Sequence, residues 1–151
     1  EFAKNVLDLK DANSTEFDLE TSNPVIDIIE SQKGLQETGG TMRLGGYRCS
    51  LSPKTLARKI YGKEEIIERH RHRYEFNDYF KENLNSNGFI TSGVCPDNNL
   101  VEISEIKDHP FMIGSQFHPE FGSRLDKPHP LFDSFLKACI NQKKIGAQFK
   151  L

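Results

Sequence analysis

Apolar and polar positions change period several times along this 151-residue chain. Phe2, Ala3, Val6 and Leu7 recur at helical spacing, and turn formers at 10–15 break that run. Residues 25–29 (VIDII) form a short apolar stretch, a strand or a turn. Residues 30–40 are polar and close on Gly39-Gly40, the composition of a mobile loop. Residues 41–51 have strand character interrupted by Gly45-Gly46, and 53–61 predict a short helix stopped by Gly62. Residues 64–76 read as one long strand. Asn77 then caps a helix with Phe80 and Leu84 on its inner side, and Gly88 stops it. Strands follow at 89–94 and 100–106, and 111–117 is an apolar run of strand length. A loop at 122–130 leads to Pro130, which opens a last helix. Its apolar stripe is Leu131, Phe132, Phe135, Leu136, Cys139 and Ile140, a core-facing pattern that makes Cys139 a core residue. Alternating helices and strands predict an α/β fold, and successive strands in the middle predict antiparallel pairing. Residues 1–144 are expected to form one domain portion, with 145–151 a loose tail.

Composition narrows the classes. Lys+Arg is 20 against Asp+Glu 22, a formal net charge of −2, which argues against non-specific nucleic-acid binding. No apolar run reaches the roughly 18 residues that a membrane helix needs. The three cysteines are far apart and form no C-x-x-C pair, so neither a disulfide framework nor a zinc ribbon is expected. That usage suits a reducing compartment, and a cytoplasmic location is the expectation. The chain begins at Glu1 inside a helical pattern, so a piece of a longer polypeptide is expected.

Candidate chemistry concentrates in Gln116-Phe117-His118-Pro119-Glu120-Phe121. An apolar strand delivers His118 to its carboxyl end, where α/β sheets place their sites. In an extended chain His118 and Glu120 point to the same side, as a base and the carboxylate that orients it. On spacing alone, a His-Pro strand exit with a solvated glutamate is the simpler account. No G-x-C-x-G or G-x-S-x-G elbow supplies a nucleophile. In Glu68-Arg69-His70-Arg71-His72-Arg73-Tyr74-Glu75, period two puts the arginines on one face and His70, His72 and Tyr74 on the other. An arginine there could fork a small carboxylate or bind phosphate. Salt bridges on a half-buried strand are the plainer account for Arg69 and Arg71. His70-x-His72, with His109 or His118, is a weak metal pattern, and no metal site is expected. Glu16, in the polar stretch Asn13-Ser14-Thr15-Glu16-Phe17, could accept a hydrogen bond from an amine.

Taken together and in order, NSTEF, GGTMRLG, ERHRHRYEFN, LVEI, HPF, GSQFHPEF and PLF-x-x-F resemble the glutamine amidotransferase domain of the CTP synthase family. The resemblance runs from residue 1 to about residue 140, nearly the whole chain. It implies a three-layer, flavodoxin-like class I amidotransferase fold with a mixed sheet, its N-terminal part absent. His118 matches the catalytic histidine and Glu120 the glutamate that orients it. Arg73 matches the holder of the glutamine α-carboxylate, and Glu16 the acceptor of its α-amino group. Residues 30–41 resemble a lid near a GTP effector site. The family's nucleophilic cysteine is expected about nine residues before Glu1 on the elbow spacing.

For the parent polypeptide, the resemblance implies a glutamine-hydrolysing ligase of pyrimidine biosynthesis. It would supply ammonia for ATP-dependent amination of UTP to CTP. L-glutamine is the expected ligand, and a UTP- and ATP-binding amidoligase domain of the same polypeptide the expected partner, in a homotetramer. ATP, Mg²⁺ and GTP belong to the parent enzyme; none is expected on these 151 residues, which alone should be inactive. The alternatives are a non-catalytic amidotransferase-like binding or regulatory module, or another class I amidotransferase.

Overall fold

The computed structural model describes residues 1–28 and 42–148. The expected lid at 30–41 lies outside the described residues. The chain opens with a four-residue helix α1 (Phe2–Asn5), shorter than the pattern predicts; Ala3 is buried and Val6 is exposed. Strands β1 (Asn13–Ser14) and β2 (Pro24–Ile28) follow. Asp11 shapes the connection between them by accepting from Ser22 and Asn23, and these bonds hold its carboxyl down at about 2. β3 (Arg43–Leu51), α2 (Leu56–Tyr61), β4 (Glu65–His72) and β5 (Tyr74–Phe76) come next. A 3-10 turn (Asp78–Phe80) leads into α3 (Lys81–Ser86). Then come β6 (Phe89–Val94), β7 (Val101–Ile106), β8 (Ile113–Ser115), a second 3-10 turn (Pro119–Gly122) and α4 (Pro130–Gln148).

The strands form two sheets. A five-stranded sheet has the order β4-β3-β6-β7-β8, each neighbouring pair antiparallel. A three-stranded sheet, β1-β2-β5, is mixed: β1 runs parallel to β2, and β5 antiparallel to it. Helix, strand and antiparallel middle thus agree with the expected α/β class and mixed pairing.

Two strand expectations need correction. The Gly45-Gly46 pair does not interrupt β3, which pairs with β4 continuously from Arg43↔His72 to Ser50↔Glu65. Gly45 takes φ 105 there, a backbone conformation in which an L side chain is strained. Residues 64–76 are not one strand. β4 ends at His72 in the large sheet and β5 begins at Tyr74 in the small one, so Arg73 occupies the switch between sheets.

One core cluster joins Cys49, Leu51 and Ile66 of the large sheet to Ala57 of α2, Ile103, Phe117 and Leu131 of α4. Packing here is tight: a Cβ on Gly93 would lie 2.7 Å from Cys49 Sγ. A second cluster gathers Ala3, Ala12, Phe76, Phe80, Leu84 and Val101. The apolar stripe of α4 is only partly core. Leu131 is buried, whereas Phe132, Phe135, Leu136, Ile140 and Cys139 are exposed, which corrects the placement of Cys139. Helix α2 is anchored at its start by the Glu105 carboxylate of β7. This accepts from the N–H groups of Leu56 (2.7 Å) and Ala57 (3.0 Å) and satisfies two otherwise orphaned donors. No helix among the described residues is long and apolar enough to cross a membrane.

Candidate active site

β8 and the residues after it carry His118. The Gln116 N–H donates to the Glu102 carbonyl (2.9 Å), extending the ladder with β7 beyond β8. Phe117 is buried and packs against the rings of His70 (centroids 5.8 Å) and His129 (6.4 Å). The His118 N–H then donates to the Arg69 carbonyl of β4 (2.9 Å), so the run after one edge strand closes against the other edge strand. His129 is itself fixed: its Nδ1 accepts from the Leu131 N–H, leaving Nε2 to donate to Glu68 at 2.9 Å.

His118 and Glu120 do meet, with Nδ1···Oε1 at 2.6 Å. The extended chain expected from their spacing is not the cause. Pro119 opens a 3-10 turn immediately after His118, and the turn brings Glu120 back onto the ring. The hydrogen bond to His118 holds the Glu120 carboxyl below the usual glutamate range. The imidazole is half-buried and stacks on Phe121 (centroids 5.1 Å), so one face is packed while the site stays open. A carboxylate on Nδ1 selects the tautomer with Nε2 free to take a proton and stabilises the imidazolium that results.

Glu16 and Arg73 arrive through the small sheet. β1 runs parallel to β2, so Glu16 follows it at the end of the sheet where β2 finishes. β5 runs antiparallel, with Tyr74 opposite Ile28, so Arg73 enters at that same end. One end of a three-stranded sheet thereby carries an exposed carboxylate and a half-buried guanidinium. The Glu16 turn is held by its N–H to Ser14 Oγ (3.2 Å) and by Thr15 Oγ1 to Asp27 Oδ1 (2.7 Å).

Arg69 and Arg71 are exposed on β4, and neither enters an ion pair among the described residues, so the salt-bridge expectation is corrected. His70 lies inside, packed edge-on to Tyr47 and Phe117. Burial first, then the Arg43 charge, lower its pKa to about 3, so the ring is neutral. Among the described residues no group of His, Cys, Asp or Glu could hold a metal ion.

Sequence reasoning missed a buried polar network behind these residues. Arg43 pairs with Glu75 (3.0 Å) and Glu102 (2.8 Å), all three side chains nearly inaccessible. His72 Nε2 lies 2.7 Å from Glu75 Oε1, and Gln116 Nε2 donates to Glu75 Oε2 (3.1 Å) and to the Tyr74 carbonyl (3.3 Å). Burial pushes the Glu75 carboxyl up, but His72 and Arg43 outweigh it and hold it below the ordinary value. For Glu102 burial wins over Arg43 and the carboxyl is raised. The available signal was charge at strand positions with apolar neighbours: Glu102 lies between Val101 and Ile103, and all three are buried.

The sequence matches the family described as Glutamine amidotransferase class-I over residues 12–138. It is 59% identical over 140 residues to the CTP synthase of Rubrobacter xylanophilus, covering 93% of this chain and 25% of that protein. Against the CTP synthase of Caldanaerobacter subterraneus the identity is 56% over 148 residues, 98% of this chain and 28% of that protein. The chain thus spans about a quarter of the length of these relatives. Among solved structures it superposes on one described as the Trypanosoma brucei CTPS glutaminase domain with bound acivicin. The TM-score is 0.84 at 33% identity, covering 92% of this chain and 54% of that one. By fold and by sequence, the chain belongs to the class I glutamine amidotransferase family.

Proposed function

We propose that this chain carries the acid–base and substrate-holding half of a glutaminase site in a CTP synthase. Supporting the reading is the short His118–Glu120 contact after β8, together with Glu16 and Arg73 at one end of the small sheet. In this reading the Arg73 guanidinium forks the α-carboxylate of glutamine, and the Glu16 carboxylate accepts from its α-ammonium. The γ-carboxamide then faces His118.

The nucleophile is a cysteine thiolate outside these 151 residues. Cys49 and Cys95 are fully buried, and burial pushes the Cys49 thiol up to about 12. Cys139 lies on the exposed side of α4. His118 takes the thiol proton, and the thiolate forms a γ-glutamyl thioester. The proton then passes from His118 to the departing ammonia. Water attacks the thioester with His118 again as base, which releases glutamate and restores the thiol. Ammonia passes to the amidoligase domain of the same polypeptide and displaces phosphate from C4-activated UTP, giving CTP. ATP, Mg²⁺ and UTP are bound by that domain in this reading. The GTP effector, the homotetramer and a cytoplasmic location complete the proposal for the parent enzyme. The 151 residues alone are inactive in this reading.

The test uses the full-length polypeptide with UTP, ATP, Mg²⁺ and glutamine. Glutamate and CTP are expected in equal amounts. Arg73→Ala is expected to raise the KM for glutamine at least tenfold while CTP formation from added ammonia is unchanged. An unchanged KM overturns the role of Arg73. Glutamate without CTP favours another class I amidotransferase, and neither product favours a non-catalytic module.

A further inference from the structure

Gln116 connects two parts of the site that come from different sheets. Its backbone N–H extends the β7 ladder and its side chain lies two residues before His118. Its amide reaches across to the segment just after Arg73, donating to the Tyr74 carbonyl (3.3 Å) and to Glu75 Oε2 (3.1 Å). Glu75 is no loose acceptor. It is 3% exposed, and its other oxygen lies 3.0 Å from Arg43 Nη1 of β3 and 2.7 Å from His72 Nε2 of β4. His72 and Tyr74 are the two neighbours of Arg73. The switch that carries Arg73 is therefore tied across by His72 to Glu75, and Gln116 fastens that tied switch to the His118 run. The backbone contact of His118 with Arg69 fixes the run at a second point further along β4.

We propose that Gln116 is a positioning residue for glutamine hydrolysis, setting the spacing between the Arg73 guanidinium and the His118 imidazole. A glutamine molecule has a fixed number of bonds between its α-carboxylate and its γ-carboxamide. A site that holds the first and reacts at the second must hold that same span. Arg73 follows β4 at one edge of the large sheet and His118 follows β8 at the other; the His118 N–H reaches β4 only at Arg69, four residues before Arg73, which leaves the Arg73 end of the span to be set by other bonds. Arg43 and His72 tie Glu75 to the large sheet, and the side-chain bonds of Gln116 join the His118 run to the residues just after Arg73. Of the charged and titratable groups around it, Glu75 of β5 meets its amide directly; His72 of β4 and Arg43 of β3 contact Glu75, and Glu102 of β7, beside His70, contacts Arg43. This inference rests on the assignment of Arg73 and His118 proposed above.

The experiment uses the full-length enzyme with Gln116→Met, which keeps side-chain length and removes both hydrogen bonds, and Gln116→Glu. Glutamine still binds Arg73 in the Met variant but is held out of line. Glutamine-dependent kcat is expected to fall at least tenfold, KM to move less than threefold, and ammonia-dependent CTP formation to be unchanged. Gln116→Glu restores a donor only when its carboxyl is protonated. Its rate relative to Gln116→Met at the same pH is therefore expected to rise as the pH is lowered. Parent-like kcat in Gln116→Met overturns the proposal. A parallel loss of glutamine- and ammonia-dependent rates, with a flat ratio between the variants, also overturns it by making Gln116 merely structural. His118→Ala separates the two levels. If it leaves glutamine hydrolysis intact, the parent reading has failed. If it abolishes hydrolysis while Gln116→Met is silent, only this inference has failed.

Discussion

His70 sets the acid sensitivity of the residues behind the site. Its ring is 2% exposed, and its pKa is lowered from 6.5 to about 3. Between those values the unfolded chain binds a proton that the native ring does not, so stability falls as the pH drops from about 6.5 to about 3. Glu75 acts in the same direction. Its depressed carboxyl contributes stability above the ordinary glutamate range, and this is lost as the pH falls through its lowered value. His70→Phe keeps a ring in the Tyr47–Phe117 packing and removes the titration. Hydrogen-exchange protection of the β4 amides is expected to decline less steeply below pH 6.5 in the variant than in the parent. An equally steep decline removes His70 from the account. At this scale the imidazole of His118, the carboxylates of Glu120 and Glu16 and the guanidinium of Arg73 were legible as residue types, and the roles proposed for them come from the family resemblance. Gln116, Arg43, Glu75 and Glu102 were not visible as a unit. Their partnership depends on two sheets meeting, and the spacing along the chain does not encode that.

At the scale of elements, most boundaries follow from local chemistry. Thr55 caps α2 by accepting from the Arg58 N–H, and Gly62 ends that helix at φ 63. Asn77 and Gly88 bracket the next helical segment as expected. Glu105 adds a tertiary cap that no local pattern announces, since it lies 48 residues or more from its partners. Glu105→Ala leaves two N–H groups at the start of α2 without their acceptor. The expected cost is about 2–3 kcal/mol, read as a loss of exchange protection in α2 and the adjoining β7 amides. Protection equal to that of the parent contradicts the capping role. The sheet switch at Arg73 was illegible for a different reason. Period two continues through the ERHRHRYE stretch without a Gly or Pro, and the break comes from β5 pairing with β2 in another sheet. The 3-10 turn at Pro119 was half legible: the proline was visible, but the return of Glu120 onto His118 requires the turn geometry.

Across the whole molecule, the exposed apolar residues stand out. Phe132, Phe135, Leu136 and Ile140 keep helical spacing on α4 yet face outward, and Phe17 and Leu19 are about 80% exposed beside Glu16. Periodicity identifies an apolar face but not what covers it, which is why Cys139 was misplaced. β8 has a single strand partner among the described residues, so the strand that delivers His118 is an edge. The chain spans about a quarter of the length of the curated relatives it matches, and the proposed function puts the amination step outside it. Under the proposed function, glutamine hydrolysis needs His118 and amination does not. The most direct measurement is CTP formation by full-length His118→Ala with glutamine or with ammonia as nitrogen donor. Loss of the base is expected to lower the glutamine-dependent rate by about 10³-fold or more while leaving the ammonia-dependent rate at the parent level. Glutamine-dependent CTP formation at the parent rate would contradict the central claim.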